Sequence, residues 1–383
     1  MANSSDKQLH IVSLNVPYPA DYGGVIDIFY KMRALHDLGV QIHLHCYDYG
    51  RGAQAKLEEL CTSVYYYPRR TGWRSQLSTL PYIIQSRSSE ALLNRLQADH
   101  FPILLEGLHT AYWYIKGALS PERIFLRSHN IEHDYYRALA QQSKGWKRRY
   151  FQKEAWQLEQ VLGQLPPATR IAAISPPDAA FYQRFWPNTF WLPPFHPNKE
   201  VDIKLGRGSY ACYHGNLSVA ENVQAALCLV EQFGGRSIPL KLAGKDPVPE
   251  LLTKVAPHAN VEIVANPKDE QMQALLQHAQ VLVLPTFQGT GIKLKLLESL
   301  YKGRHVVVNQ TMVQGTGLEG LCTVVEQDFL GAAQKLWDLD FQKEQLEQRQ
   351  RGLANHFDNR ENAQSLIQMI WGELPESSPE SVN

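Results

Sequence analysis

Cysteine is scarce: five residues in 383, at positions 46, 61, 212, 228 and 322, with no CxxC spacing. An odd, scattered set argues against a disulfide framework and a structural zinc site, and fits a reducing, cytoplasmic compartment. Charge excess is also missing. Thirty-eight Lys/Arg balance 38 Asp/Glu, so bulk attraction gives no reason to expect a nucleic-acid partner. No apolar run approaches the roughly 20 residues of a membrane-spanning helix. The polar start Met-Ala-Asn-Ser-Ser-Asp-Lys leads straight into a strand pattern, unlike a secretory signal. No repeat of roughly 20–50 residues is found. No Gly-x-Gly-x-x-Gly follows the first strand, which removes the fingerprint of a nicotinamide dehydrogenase. No Asp-x-Asp in a strand-loop setting and no His/Asp/Glu group at metal-ligand spacing is present. No metal and no cofactor are therefore expected, and any leaving diphosphate would be neutralised by lysines, helix ends and turn amides.

What is present is a regular alternation of strand and helix patterns. Gln8 to Val16 reads as a buried strand, followed by the turn Pro17-Tyr-Pro-Ala-Asp-Tyr-Gly23-Gly24. Val25 to Leu38 reads as a helix with apolar Ile28, Phe29, Met32, Leu35 and Leu38, and Val40 to Tyr47 as a second strand. Further strands are expected at 63–67, 103–106, 124–128 and 171–175, with helical patterns at 92–99 and 145–165. A proline-rich stretch from Trp186 to Pro197 interrupts this series. A second one begins at Tyr210 and runs to Val308, and a last helix is expected over Asn359 to Trp371. Two successive β/α series joined by a linker predict an α/β chain of two Rossmann-like, doubly wound domains facing across a cleft. Ligands in such sheets bind beyond the carboxyl ends of the strands, where both series carry glycine turns.

The most informative stretch is Pro285-Thr-Phe-Gln-Gly-Thr-Gly-Ile-Lys-Leu-Lys-Leu-Leu-Glu298. A short buried strand passes through a Gly-Thr-Gly turn into a helix, so free amides and the helix dipole converge there as an anion site. Lys293 and Lys295 add positive charge, and Glu298 follows in the helix. Basic groups for a diphosphate and a carboxylate for ribose or sugar hydroxyls suit a nucleotide-sugar. Two residues apart, the lysines do not share a helix face, and Lys293 is the better phosphate ligand by its proximity to Gly291. An ordinary strand-loop-helix with surface lysines is the plain alternative.

In the first half, the segment Leu104-Leu-Glu106-Gly-Leu-His109 ends a buried strand in a carboxylate and a histidine, which suggests a catalytic or acceptor role. His129 ends another strand and is followed by Asn130; an imidazole there suits a contact to the sugar or phosphate near neutral pH. Asp27, one turn past Gly24, is a further candidate base or a helix-dipole partner. The helix from Gly145 to Trp156 mixes Trp, Tyr, Lys and Arg, and residues 1–200 hold 22 Lys/Arg against 17 Asp/Glu. Such a surface suits peripheral contact with anionic membrane, or is simply a solvated helix face.

These motifs together resemble the GT-B glycosyltransferases, specifically the bacterial family 4-like (group 1) enzymes. Gly23-Gly24 and the following helix look like the family's first glycine turn. Leu126-Arg-Ser-His129 looks like its strand ending in a histidine near the reacting sugar, and Ala173-Ile-Ser175-Pro-Pro-Asp178 like its segment before the linker. His214-Gly215-Asn216 and Leu242-Ala-Gly244-Lys245 are similar to its two donor-domain turns. The chain departs from the commonest form. Asn216 and Glu221 stand where an Arg and a Lys are usual, and Thr290 stands where the first Glu of a Glu-x7-Glu pair is usual. The stretch Gly289-Thr290-Gly291-Ile292-Lys293-Leu-Lys295-Leu-Leu-Glu298 instead resembles a subgroup with Gly-x-Gly-Ile-Lys-x-Lys-x-x-Glu.

The resemblance implies an acceptor-side domain over 1–198, onto which a C-terminal helix at 359–375 packs back. It also implies a donor domain over 199–358, while the Ser-, Pro- and Glu-rich composition from Glu373 onward leads to the expectation of a disordered tail at 376–383. It implies transfer of a sugar from a nucleotide-sugar to a glycan or lipid-linked acceptor, as in polysaccharide biosynthesis. The transfer would be metal-independent and retaining, at the inner face of the cell membrane or in the cytoplasm. Donor contacts are expected from Gly23, Gly24, Gly215, Asn216, Lys245, Thr290, Gly291, Ile292, Lys293, Lys295 and Glu298. Catalytic contacts are expected from His129, Glu106 and Asp27, and acceptor contacts from His109 and Asn130. An inverting course would need Glu106 or Asp27 as base. A UDP-sugar 2-epimerase-like enzyme and a nucleotide-sugar-binding protein without turnover are the alternatives.

Overall fold

A computed structural model describes residues 7–72, 78–287, 289 and 294–372. It divides into two compact units. The first joins the described residues up to Pro197 with those from Phe357 onward; the second is Asn198–His356.

The first unit is built on seven parallel strands: β1 (Gln8–Ser13), β2 (Gln41–Asp48), β3 (Ser63–Pro68), β4 (Ile103–Glu106), β5 (Ile124–Ser128), β6 (Arg170–Ala173) and β7 (Thr189–Trp191). Their spatial order is β3-β2-β1-β4-β5-β6-β7, so the winding reverses between β1 and β4. Alternate residues feed the two faces. Leu9, Ile11, Leu104 and Phe125 pack with Ile28, Met32 and Leu35 of the helix Gly23–Asp37. Val12, Ile103, Leu105 and Leu126 pack on the opposite face with Leu158 and Val161 of the helix Gly145–Leu162.

The last helix, Asn359–Trp371, joins the first of these cores through Ala363, Leu366 and Ile370. Its apolar stripe needs such a partner, because isolated helices of this length are marginal in water. Its start is fixed by Asp358, which accepts hydrogen bonds from the amides of Arg360 and Glu361. His196 Nε2 donates to the Phe357 carbonyl (2.7 Å), and Asn359 Nδ2 donates to the His196 carbonyl (2.7 Å).

The second unit holds β8 (Ala211–His214), β9 (Leu240–Gly244), β10 (Val261–Ala265), β11 (Val281–Leu284), β12 (His305–Asn309) and β13 (Thr323–Val325). Again all are parallel, in the order β10-β9-β8-β11-β12-β13, with the reversal between β8 and β11. Gly244 is required at the end of β9: a Cβ there would stand 1.7 Å from the Gly215 carbonyl oxygen.

Local departures from the sequence expectations have physical causes. β1 stops at Ser13 rather than Val16, because the Ser13 hydroxyl turns onto the Asn15 carbonyl and the Val16 amide donates to Asn15 Oδ1 (2.9 Å). The proline-rich stretch still contains β7, which precedes Pro193 and Pro194. The polar helix Glu132–Gln142 carries too weak an apolar period to be read from sequence. Thr290, Gly291, Ile292, Lys293 and the tail 376–383 lie outside the described residues.

Candidate functional site

In the first unit, buried charges gather at the carboxyl edge of β4 and β5, next to the reversal point. Asp27 and Lys31 come from the helix Gly23–Asp37, Glu106 is the last residue of β4, Arg127 lies in β5, and His129 follows it. Arg127 holds Asp27 by two bonds, Nε to Oδ2 at 3.1 Å and Nη2 to Oδ1 at 2.9 Å. The remaining Arg127 donors reach the carbonyls of Leu192 and Pro193. Lys31 Nζ lies 3.0 Å from Asp27 Oδ2 and 2.8 Å from Glu106 Oε1. The Phe195 amide adds a bond to Asp27 Oδ1 (2.8 Å). His129 Nε2 donates to Glu106 Oε2 (3.1 Å), and its Nδ1 is 3.7 Å from Asp27 Oδ2.

Two carboxylates thus face a lysine and an arginine in a buried site. Burial alone would raise both acids, but Arg127, Lys31 and His129 hold the Asp27 carboxyl far below the usual range. Lys31 and His129 likewise overcome the burial of Glu106 and hold its pKa down. Carboxylates stabilised in this way are poor proton acceptors, which does not suit either residue to act as base. Asp27, Glu106 and His129 also stand close enough, with one ligand atom each within 4.8 Å of the others, to form a metal-like triad. The three are far apart in sequence, so no spacing could have revealed it. A divalent ion there would have to displace a lysine ammonium that already neutralises both acids, and the donor set therefore fits a metal poorly.

The other candidates of this unit are dispersed. Gly23 and Gly24 open their helix behind Tyr22, which provides no side-chain cap. His109 lies in a short 3-10 turn after β4. Asn130 follows His129, and its carbonyl accepts from Ser128 Oγ (2.8 Å) and Tyr182 Oη (3.2 Å).

In the second unit a polar group assembles at the ends of β8 and β11. Lys295 belongs to the helix Leu294–Lys302. Its Nζ reaches Asn222 Oδ1 (2.5 Å) and the Tyr213 hydroxyl (3.2 Å), and lies 5.1 Å from the Tyr213 ring centre. Glu298, one turn on, is 3.3 Å from Lys302 Nζ and 3.7 Å from His214 Nδ1. His214 Nε2 shares a hydrogen bond with Ser299 Oγ (2.7 Å). Burial, opposed by Glu298, takes His214 down to about 4, so the ring is neutral at pH 7. Gly215 follows directly; a Cβ there would crowd the Asn222 carboxamide at 3.2 Å. Lys245 succeeds β9, and its carbonyl accepts from the Leu217 amide (2.8 Å).

The two departures at Asn216 and Glu221 have internal uses. Asn216 Oδ1 accepts from the Ser218 amide (2.9 Å), and Glu221 accepts from the Thr286 hydroxyl. A depression of about 630 Å³ lies beside this group, lined by Ser218, Val223, Cys228, Val248, Glu250 and Phe287 among others. It contains none of the residues expected from the sequence. Lys31 and Arg127 of the first unit and His214 of the second were not among the site residues expected from the sequence. The i, i+4 spacing of Asp27 and Lys31 was the available signal for the first pair; a histidine ending a buried strand before a glycine was the signal for His214.

Residues 209–338 match the family model of the group 1 glycosyl transferases. A Klebsiella pneumoniae protein described as an uncharacterized 44.6 kDa protein in the cps region is 26% identical over 333 residues, covering 80% of this chain and 84% of that one. Among solved structures, Anabaena Alr3699/HepE in complex with UDP and glucose has a TM-score of 0.62 at 11% identity, covering 95% of this chain and 99% of that one. A glycosyltransferase from Rickettsia africae gives 0.61 at 10% identity, covering 95% and 97%. At these identities the structural likeness establishes the fold, two parallel-sheet Rossmann-like domains of the kind found in GT-B glycosyltransferases.

Proposed function

We propose that this protein transfers a sugar from a nucleotide-sugar, with UDP as the nucleotide, to a hydroxyl of a glycan or lipid-linked acceptor. The observation that carries this reading is the grouping of Lys295, Glu298, His214 and Gly215 at the reversal point of the second sheet. It lies inside the segment similar to the group 1 glycosyl transferases, and the Anabaena neighbour binds UDP and glucose. An ammonium and strand-end amides suit the diphosphate, and a carboxylate suits vicinal hydroxyls.

Transfer with retention fits better than inversion. Asp27 and Glu106 are neutralised by Arg127 and Lys31, so the departing phosphate oxygen, rather than either acid, takes the acceptor's proton. The same pairing supports a reaction without a divalent ion, since lysine and backbone amides carry the leaving charge. Peripheral attachment to anionic lipid is supported by Trp146 and Trp156, 73% and 61% exposed, beside exposed Lys147, Arg148, Arg149 and Lys153. No helix among the described residues is long and apolar enough to cross a membrane.

The test is a donor screen of UDP-, GDP- and dTDP-sugars, followed by product release with and without EDTA and by Glu298→Ala. UDP-sugars are expected to bind and turn over in EDTA. Loss of a carboxylate that bonds the donor should weaken binding by about 1.5–3 kcal/mol. No binding of any nucleotide-sugar would overturn the proposal. Epimerised UDP-sugar appearing without an acceptor would replace it with the epimerase reading.

A further inference from the structure

Beyond the ion network, the same edge of the first sheet carries acids and a histidine that the reaction described above does not use. Glu132 starts the helix Glu132–Gln142 and is 7% exposed. Its only polar contact among the described residues is His109 Nδ1 at 3.8 Å, too long for a hydrogen bond. His109 Nδ1 is buried with no hydrogen-bond partner, and so is Oδ2 of Asp178, a residue 8% exposed. His109 follows β4, Glu132 follows β5, and Asp178 lies in the first turn of the helix after β6. Gly107 lets the ring take this position: its φ is +77°, and a Cβ would stand 2.9 Å from His109 Nδ1.

Leaving buried polar atoms unpaired costs on the order of 1–3 kcal/mol each, so a carboxyl and an imidazole nitrogen 3.8 Å apart and unbonded are disposed to share a third polar group. The chemistry of the pair is that of neutral partners. Burial, reinforced by Asp178 and opposed by Arg87, pushes the Glu132 carboxyl up to about 8, and burial takes Asp178 up to about 6. Burial, with Arg87, His129 and Arg69 acting in the same direction, keeps His109 uncharged. A carboxylic O–H donates and a neutral imidazole nitrogen accepts. A hydroxyl does both at once, while a phosphate brings only acceptors and a charge.

We propose that Glu132 and His109 form a binding site for a hydroxyl of an uncharged sugar, bridged between the Glu132 carboxyl and His109 Nδ1. This rests on the glycosyltransferase reading and deepens it: the acceptor group held at this sheet edge is a neutral glycan hydroxyl rather than a phosphate.

The probes are methyl glycosides of glucose, galactose and mannose, with glycerol 3-phosphate as the charged comparison. Binding to the full chain is measured by saturation-transfer NMR in the presence of UDP. At least one neutral glycoside should bind more tightly than glycerol 3-phosphate. Glu132→Ala and His109→Ala should weaken it about tenfold or more. Glu132→Gln keeps a neutral group of the same shape that both donates and accepts, and should stay within about threefold of the wild type. It also covers the case in which an alanine variant does not fold. Glutamine failing as alanine does would mean that an ionised carboxylate is needed, and would overturn the proposal. So would a panel in which no glycoside binds, or in which the phosphate binds best. Calorimetry with UDP on the wild-type chain is the separate arm. Absent UDP binding sinks the glycosyltransferase reading, whereas UDP binding without a Glu132-dependent glycoside signal sinks this site alone.

Discussion

Arg127 grips Asp27 across 100 positions of sequence with two parallel hydrogen bonds, both side chains lying out of reach of water. The pair joins the first helix to the middle of the sheet, and the Phe195 amide completes the carboxylate's shell. Its first consequence is structural, whatever the chemistry nearby.

Asp27→Ala should therefore destabilise the protein by about 3–5 kcal/mol, because it leaves a buried guanidinium and ammonium short of a counter-charge. Urea unfolding measures this directly. A loss under about 1 kcal/mol would mean that the site is wetter than its geometry implies, and would return Asp27 to candidacy as a base.

A second consequence concerns acid. Tyr67 donates to His45 Nδ1 (2.8 Å), His45 Nε2 donates to His10 Nδ1 (2.9 Å), and His10 Nε2 donates to Asp99 (3.0 Å). The chain uses neutral rings only. Burial, with His10, His43 and Arg95, drives His45 down to about 2, and burial lowers His10 despite Asp99. A histidine depressed by folding makes the unfolded chain the better proton binder below about 6.5. Its contribution is intact above that pH and is lost as the pH falls from there toward about 2. Raised acids such as Glu132 act in the opposite sense, so the informative quantity is a difference. Between pH 7.5 and 5, His45→Gln should lose less stability than the wild type, by about 2 kcal/mol, at 1.36 kcal/mol per pH unit below 6.5. Parallel pH profiles for the two chains would show that His45 is not the proton acceptor.

The last helix gives a packing prediction. Leu366 is fully buried against the first helix and sheet, whereas Gln364 is exposed. Leu366→Ala should cost about 2–5 kcal/mol, and Gln364→Ala should stay within about 0.5 kcal/mol. Equal, small shifts in the urea midpoint would detach this helix from the core of the first unit.

Much of this architecture was legible because period and punctuation agree. The helix Gly23–Asp37 and strand Gln41–Asp48 fall, to within a residue or two, where the apolar periods of Val25–Leu38 and Val40–Tyr47 put them. Helix Lys343–Phe357 and strand Thr323–Val325 were not legible. The first is largely polar, and the second has two exposed residues among its three, so neither carries a strong apolar pattern. The site was legible as strand ends and less so as chemistry. Glu106 and His129 stand where a ligand would be expected, yet sequence could not reveal that Lys31 and Arg127 meet them. That meeting needs a helix, two strands and the Leu192–Phe195 segment to converge. It gives Glu106 and Asp27 buried cationic partners, and Glu106 a hydrogen bond to the histidine beside it.

Under the proposed function, His129 is the group of this network expected to matter for turnover. Its Nε2 is fixed by Glu106 and its Nδ1 faces Asp27 at 3.7 Å, so the ring is oriented by the two anchored acids. It belongs to the first unit, while the Lys295, Glu298 and His214 group belongs to the second. Under the proposed function, nucleotide affinity comes mainly from the second group, and loss of His129 is expected to show in turnover instead. An interaction made chiefly in the transition state lowers kcat and kcat/KM together when removed. His129→Ala should reduce kcat by about 10²-fold or more while leaving the UDP dissociation constant near the wild-type value. Glu106→Gln provides the internal check, since it loosens the ring without deleting it. It should fall between wild type and His129→Ala in kcat, provided urea unfolding shows the variant still folded. Normal kcat in His129→Ala would make the ring part of the ion network alone, and the proton and charge movements would have to be assigned elsewhere on this sheet edge.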